Sequence, residues 1–214
     1  MEERMQMEQE VTLEQMLEAR VRRVQRQRTL LDRYGQSLIC LTMNVAGPVK
    51  NSLLIRRGFF WAEELLLGQL AGRGISCLHR ERYGPATGNE GFYVVSGDAA
   101  ALKQLTVEME EHCEIGRLLD LDVLDPRGEK MERQSLGLMP RRCLICGGPA
   151  WACARSRSHS VQELRQKTET MLRQAFARQD AQTVAGMACR SLLYEVCVTP
   201  KPGLVDRKNS GSHR

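Results

Sequence analysis

The sequence lacks a long apolar run. No stretch of its 214 residues approaches the ~20 consecutive apolar residues of a membrane-spanning helix, so we expect no membrane partner. The N-terminus, MEERMQMEQE, is acidic, whereas a signal peptide starts with basic and then apolar residues. Without such a signal the chain is expected in the cytoplasm, where its eight cysteines would be thiols or metal ligands rather than disulfides.

A strong excess of one charge is also missing. The 31 basic and 26 acidic residues give a net charge of +5, a mild bias toward anionic partners that is too small to indicate a nucleic-acid-binding protein. Charged residues make up 27% of the chain and hydrophobic residues 42%, as in ordinary globular domains. The length allows one sizeable domain, or one domain and a piece of another.

Hydrophobic periodicity predicts interleaved helices and strands. Helices are predicted at 13–34, 53–69, 98–112, 160–178 and 181–198, and strands at 37–45, 75–82, 91–96 and 116–125. This interleaving predicts an α+β (mixed α/β) fold in which helices flank a sheet. The first helix is expected to expose its arginines and to pack on an apolar stripe formed by Leu13, Met16, Leu17, Val21, Val24 and Leu31.

The strand GRLLDLDVLD carries an unusual pair of acids. Alternation puts Leu119, Leu121 and Val123 on one face. Asp120 and Asp122 share the other face, about 7 Å apart. Neighbouring carboxylates repel each other unless a cation joins them, and Mg²⁺ carrying phosphates is the usual partner. The alternative is a sheet with one wet face, on which both acids are merely solvated.

The segment 133–162 has five arginines, one histidine and no carboxylate. Phosphates that bridge these arginines to a metal on the acidic strand would explain so much unpaired positive charge, because guanidinium groups match phosphate oxygens in pairs. A basic loop that only contacts solvent is the alternative.

The stretch AGPVKNS, between the first strand and the second helix, is a further candidate for anion binding. Free backbone N–H groups, the positive end of the helix and Lys50 would all meet an anion there. An ordinary turn with an Asn51 or Ser52 cap is the alternative.

Four candidate metal ligands lie in the arginine-rich segment: Cys143, Cys146, Cys153 and His159. They could hold a structural Zn²⁺, and the first pair has the spacing of a zinc ribbon. The second pair is widely spaced, so reduced cysteines without a metal are the alternative. A zinc-stabilised basic module, whose segment 133–162 binds nucleic acid or an acidic partner, is a rival function. Trp151 is the only aromatic residue of that segment, which counts against stacking on the bases of a single strand.

Three stretches together resemble a known family: AGPVKNS, GRLLDLDVLD and PRRCLICGGPAWACARSRSHS. They are similar, in order and spacing, to the apo-citrate lyase phosphoribosyl-dephospho-CoA transferases, also called citrate lyase holo-acyl-carrier-protein synthases. The similarity covers roughly residues 12–178. Three motifs in a fixed order are far more specific than a lone Asp-x-Asp pattern.

The resemblance implies a nucleotidyltransferase with a nucleotidyltransferase-like sheet. Its substrate would be 2′-(5″-triphosphoribosyl)-3′-dephospho-CoA, and its partner would be the acyl carrier subunit of citrate lyase. A serine of that subunit would attack the phosphate next to the ribose, and pyrophosphate would leave. No nucleic acid and no membrane is involved.

The resemblance also implies roles for individual residues. Asp120 and Asp122 would be catalytic and would hold Mg²⁺ against the triphosphate, and one of the two could accept the serine proton. The candidates for binding substrate phosphate are, in order, Arg117, Arg141 and Arg142, then Lys50 and Asn51, then Arg155, Arg157 and His159.

The C-terminal stretch LLYEVCVTPKPGLVDRKNSGSH resembles the opening of the triphosphoribosyl-dephospho-CoA synthases. We therefore predict a transferase domain at 1–178 and a truncated piece of a synthase domain at 179–214, as in a multifunctional fusion. No synthase activity is expected of so short a remnant.

Overall fold

Four antiparallel strands form the central sheet of the structure, a computed structural model that describes residues 9–196, with side chains to residue 181. The strands are β1 (Ser37–Met43), β2 (Cys77–Tyr83), β3 (Glu90–Val95) and β4 (Leu119–Leu124). Their order across the sheet is β2-β3-β1-β4, so β4 is an edge strand. With helices packed on both faces of this sheet, the predicted α+β class is confirmed.

Five α-helices complete the described part of the chain: α1 (Leu13–Tyr34), α2 (Leu53–Gly72), α3 (Ala99–His112), α4 (Ala150–Ser156) and α5 (Val161–Val196). Asp98 caps α3, because its side chain accepts from the N–H of Ala101. Ser160 and Glu163 form a capping box at the start of α5. The two helices predicted at 160–178 and 181–198 are wrong, since α5 is continuous: no proline lies between Pro149 and Pro200 to interrupt it.

The chain divides into two compact units, Met1–Ala175 and Phe176–Arg214. The sheet and helices α1 to α4 belong to the first unit. The predicted boundary between a transferase domain (1–178) and a synthase piece (179–214) stays a prediction, and residues 197–214 of that piece lie outside the described residues. Among the helices described, none combines the length and the apolar character needed to span a bilayer.

Helix α1 covers one face of the sheet. Its residues Leu30 and Leu31 join a buried cluster with apolar residues of β1, β3 and β4, namely Leu38, Cys40, Phe92, Val94 and Leu124. Burial of an aliphatic side chain of this size contributes roughly 1.5–3 kcal/mol, so these contacts anchor the C-terminal half of the helix.

The apolar stripe predicted for α1 is wrong. Leu31 is buried, but Leu13, Leu17, Val21 and Val24 are exposed. The helix instead turns two arginines toward the sheet, where Arg23 pairs with Glu90 and Arg26 pairs with Glu81. Two carboxylates on neighbouring strands, which helical periodicity cannot reveal, thus decide the orientation of α1.

The opposite face of the sheet packs against α2 and α3. Leu119, Leu121 and Val123 are fully buried there, as their alternation predicted. Phe59 of α2 and Leu102 of α3 are buried with them. Because successive side chains of a strand point to opposite faces, this apolar stripe forces the intervening aspartates of β4 to the α1 face.

A short 3₁₀ turn, Gly116–Leu118, precedes β4, so the strand predicted to begin at residue 116 begins at Leu119. A Cβ atom at Gly116 would overlap the carbonyl oxygens of Met109 and Glu110 at the end of α3. Glycine therefore lets the chain turn tightly against α3, and this turn sets the register of α3 against β4.

Candidate active site

Asp120 and Asp122 lie side by side on the α1 face of β4. In the register with β1, Asp120 is opposite Thr42 and Asp122 is opposite Cys40. Their side chains are 45% and 27% exposed, so both carboxylates reach solvent. The structure thus places the two acids on one face, as the strand pattern predicted.

Each carboxylate of this pair has one cationic neighbour. Lys130 Nζ lies 2.8 Å from Oδ1 of Asp122, and Arg141 Nη2 lies 3.3 Å from Oδ1 of Asp120. Partial burial, and then the charge of Asp122, raises the pKa of the Asp120 carboxyl above its ordinary value. A further cation would therefore stabilise the charged form of Asp120.

The pair suits a divalent metal. Among the residues that the structure describes, the ion-pair contact of each carboxylate is made by Oδ1, and a carboxylate has further lone pairs with which to bind a cation. Two adjacent, partly exposed carboxylates are a donor set that Mg²⁺ takes together with phosphate oxygens. The predicted Mg²⁺ ligands thus fit the ion, which itself stays a prediction.

Lys130 reaches Asp122 because the chain after β4 turns back on the strand. Asp125 Oδ1 accepts the N–H groups of Arg127 and Glu129, and Leu124 forms a bridge with Lys130. Sequence reasoning missed Lys130. The signal was the turn-forming sequence Asp125-Pro126-Arg127-Gly128, because a chain that reverses direction there brings Lys130 back beside the acidic strand.

Glu110 of α3 organises the buried edge of β4, and sequence reasoning missed it too. Its carboxylate, 3% exposed, pairs with both Arg133 and Arg141. Oε1 also accepts the N–H of Leu121 at 2.8 Å. Arg141 in turn donates to the carbonyl oxygen of Leu119 at 2.7 Å. Glu110 therefore anchors Arg141, and through it the position of Asp120.

A cavity of about 540 Å³ opens next to Arg141. Its lining includes four arginines, which are Arg117, Arg141, Arg142 and Arg157. Apart from Arg141, none of these arginines has a carboxylate partner among the described residues. Burial, together with the charges of Arg141 and Arg133, lowers the pKa of Arg117 below its ordinary value. The cavity is thus a concentration of positive charge that an anion would stabilise.

The structure brings the first-ranked phosphate candidates together in this cavity, along with Arg157 and His159. Arg155 does not line it.

Lys50 and Asn51, the second-ranked candidates, make contacts elsewhere. Lys50 donates to the carbonyl oxygen of Val45 at 2.6 Å. Asn51 is buried and donates to the carbonyl oxygen of Pro85 at 2.9 Å, which fixes the loop before β3. Neither Lys50 nor Asn51 reaches the arginine cavity, and a phosphate-binding role for them stays a prediction.

The four predicted zinc ligands converge on the wall of the same cavity. The ligand atoms of Cys143, Cys146, Cys153 and His159 all lie within 4.8 Å of one another. Cys143, Cys153 and His159 also line the cavity. The wide spacing of the second pair in the sequence is therefore no obstacle to a common site, because α4 and the turn after it return His159 to the cysteines.

Comparison with known proteins gives a consistent match. Residues 11–175 match the model of the family described as apo-citrate lyase phosphoribosyl-dephospho-CoA transferase. A protein of that name from Citrobacter koseri is 35% identical over 165 residues, covering 77% of this chain and 90% of the relative. Another, from Shigella boydii, is 35% identical over 162 residues, covering 76% of this chain and 88% of the relative.

A longer relative, the Haemophilus influenzae protein named CitXG, is 35% identical over 204 residues. The match covers 95% of this chain but only 43% of that relative, so the chain spans less than half of its length. The family match itself includes β4, the arginine cavity and the cysteine cluster, and it confirms the family that the three sequence motifs indicated. The chain therefore belongs to the apo-citrate lyase phosphoribosyl-dephospho-CoA transferases, a family of transferase enzymes.

Proposed function

We propose that this chain transfers the phosphoribosyl-dephospho-CoA group from 2′-(5″-triphosphoribosyl)-3′-dephospho-CoA to a serine of the citrate lyase acyl carrier subunit, and releases pyrophosphate. Membership of the family supports the acceptor and the group transferred. The observation that most supports a triphosphate donor is the arginine cavity beside the aspartate pair. Arg117, Arg142 and Arg157 have no carboxylate partner among the described residues, and triphosphate oxygens would supply the missing charge.

In the proposed reaction the serine oxygen forms a bond to the phosphorus next to the ribose. The bond from that phosphorus to the bridging oxygen of the pyrophosphate breaks, and its electron pair leaves with pyrophosphate. One carboxylate of Asp120 and Asp122 accepts the serine proton. Arg117 and Arg142 hold oxygens of the triphosphate, so that the leaving group lies opposite the attacking oxygen.

Mg²⁺, when bound, would neutralise charge on the triphosphate and on the leaving pyrophosphate. Asp120 and Asp122 would hold it through their carboxylate oxygens. Lys130 and Arg141 position these carboxylates, and they keep the pair from carrying its full negative charge toward the substrate.

The test of this proposal is the intact mass of the acyl carrier subunit after incubation with the enzyme, the triphosphate substrate and Mg²⁺. We expect one addition per carrier, equal to the mass of the phosphoribosyl-dephospho-CoA group. A carrier whose acceptor serine is replaced by alanine serves as the control and stays unmodified. An unmodified wild-type carrier would contradict the proposal.

Replacing Arg142 with glutamine is expected to weaken substrate binding more than catalysis. A charge-assisted hydrogen bond contributes about 1.5–3 kcal/mol, so KM for the triphosphate should rise roughly tenfold to hundredfold, with a smaller change in kcat. Arg155→Gln is the matched control, because Arg155 is an exposed arginine of the same segment that does not line the cavity. Equal KM values for the two variants would remove Arg142 from the binding site.

A further inference from the structure

We propose that Cys143, Cys146, Cys153 and His159 bind one structural Zn²⁺, which fixes the internal fold of the arginine-bearing segment 141–159. Three thiolates and one imidazole form a closed ligand set of the kind found in structural zinc sites. The site is separate from the aspartate pair on β4. Its binding of zinc does not depend on the proposed transferase reaction.

The distances between the ligand atoms suit a tetrahedral metal. Zinc–sulfur bonds of about 2.3 Å separate two sulfurs in a tetrahedral site by about 3.8 Å. Cys146 Sγ and Cys153 Sγ are 3.5 Å apart, far beyond the ~2.0 Å of a disulfide bond. All four ligand atoms lie within 4.8 Å of one another, so shifts of about 1 Å complete the tetrahedron.

The backbone around the first two cysteines is shaped to hold a metal-bound sulfur. The N–H groups of Ile145 and Cys146 donate to the sulfur of Cys143. Gly147 has a φ of 71°, a conformation that glycine adopts without strain, and its N–H donates to the carbonyl oxygen of Cys143 at 3.1 Å. This tight turn aims both sulfurs of the Cys-x-x-Cys motif at one point.

His159 supplies an independent observation. Its Nε2 atom is buried, yet it has no hydrogen-bond partner among the residues that the structure describes. An unpaired buried nitrogen is costly, and such atoms call for an explanation such as a bound ion. Because one ring nitrogen of His159 belongs to the four-atom cluster, a zinc ion at the centre of the cluster would give this imidazole a partner.

The segment around the cluster buries few side chains, although Arg133 and Arg141 tie its first part to Glu110. Between residues 133 and 160, all of which the structure describes, Cys143 is the only buried residue. Short segments without an apolar core commonly need a metal to fold, since metal-binding energy then replaces hydrophobic burial. Zinc would therefore fix Arg142 and Arg157 in the cavity wall, beside Arg141, which Glu110 already holds.

The experiment is metal analysis of the full-length protein and of matched variants. We expect close to one zinc per chain in the wild type and at least a tenfold lower content in Cys146→Ser and Cys153→Ser. Cys77→Ser is the control, because Cys77 is an exposed thiol on β2 outside the cluster, and it should keep its zinc. His159→Cys should also keep the metal, since four thiolates form an equally common structural site.

A second measurement needs only the wild-type chain. Cobalt(II) added to the metal-free protein should give the intense absorption of tetrahedral thiolate-bound cobalt, and zinc should abolish it. A wild type that takes up no zinc after equilibration with one equivalent, or a Cys146→Ser variant with wild-type zinc content, would overturn the proposal. So would a Cys146–Cys153 disulfide, seen as two fewer than the eight titratable thiols of the denatured chain.

Discussion

Asp122→Asn and Asp120→Asn are each expected to lower kcat of the transfer by about 100-fold to 1,000-fold, the loss typical when a group that stabilises transition-state charge is removed. Both variants lose a negative oxygen ligand, so the Mg²⁺ concentration for half-maximal rate should also rise. The fold should survive, because both side chains are partly exposed and asparagine is nearly isosteric with aspartate. Steady-state kinetics over a range of Mg²⁺ concentrations checks this.

Asp125→Asn is the matched control for these two variants. Asp125 follows the same strand, but its side chain accepts N–H groups of the turn, and asparagine keeps an oxygen that can do so. Its kcat should stay within about twofold of the wild type, far from the losses expected at the pair. If all three variants behave alike, the pair has no special role. Wild-type rates for both Asp120→Asn and Asp122→Asn would exclude the two-carboxylate mechanism.

Glu110→Gln is expected to lower the free energy of unfolding by about 3–5 kcal/mol, because removal of one partner from a buried ion pair leaves the other charge uncompensated. The carboxylate is 3% exposed and pairs with two arginines, so its loss leaves Arg133 and Arg141 with only the more exposed Glu111 and Asp120 as partners. For a unit of this size, such a loss lowers the melting temperature by roughly 10 °C. Thermal or denaturant unfolding measures it.

The neighbouring residue provides the control. Glu111 also pairs with Arg133, but its side chain is 39% exposed, and an ion pair so open to solvent contributes about 1 kcal/mol or less. Glu111→Gln should therefore lower the melting temperature by only a few degrees. Equal losses at Glu110 and Glu111 would show that the buried edge of β4 does not depend on the Glu110 network.

Local patterns in the sequence predicted much of the fold and the site. Strand periodicity placed Asp120 and Asp122 on one face, because the apolar residues that alternate with them form the buried face. These residues are Leu119, Leu121 and Val123. The lack of carboxylates in the segment 133–162 predicted unpaired arginines, which holds for Arg142 among the described residues but is wrong for Arg133 and Arg141, since both pair with Glu110. Both inferences depend on residues close together in the chain, where spacing alone carries the information.

Features set by distant partners escaped prediction. The orientation of α1 depends on Arg23 and Arg26 meeting carboxylates on β3 and β2, more than 50 residues away in the chain. Glu110 looked like an ordinary acid near a helix end. It is buried because the edge of β4 and Arg141 meet it in the folded protein. A single sequence shows no sign of such pairings, because they come into existence only when the sheet and helices assemble.

The central claim, transfer of a phosphoribosyl-dephospho-CoA group from a triphosphate, is tested most directly by the stoichiometry of its two products. Pyrophosphate release and carrier mass are measured in the same reaction, at a carrier concentration below that of the substrate. We expect one pyrophosphate for each modified carrier, and no release when the carrier's acceptor serine is alanine. Carrier modification without pyrophosphate, or pyrophosphate release without modification, would contradict the proposed transfer.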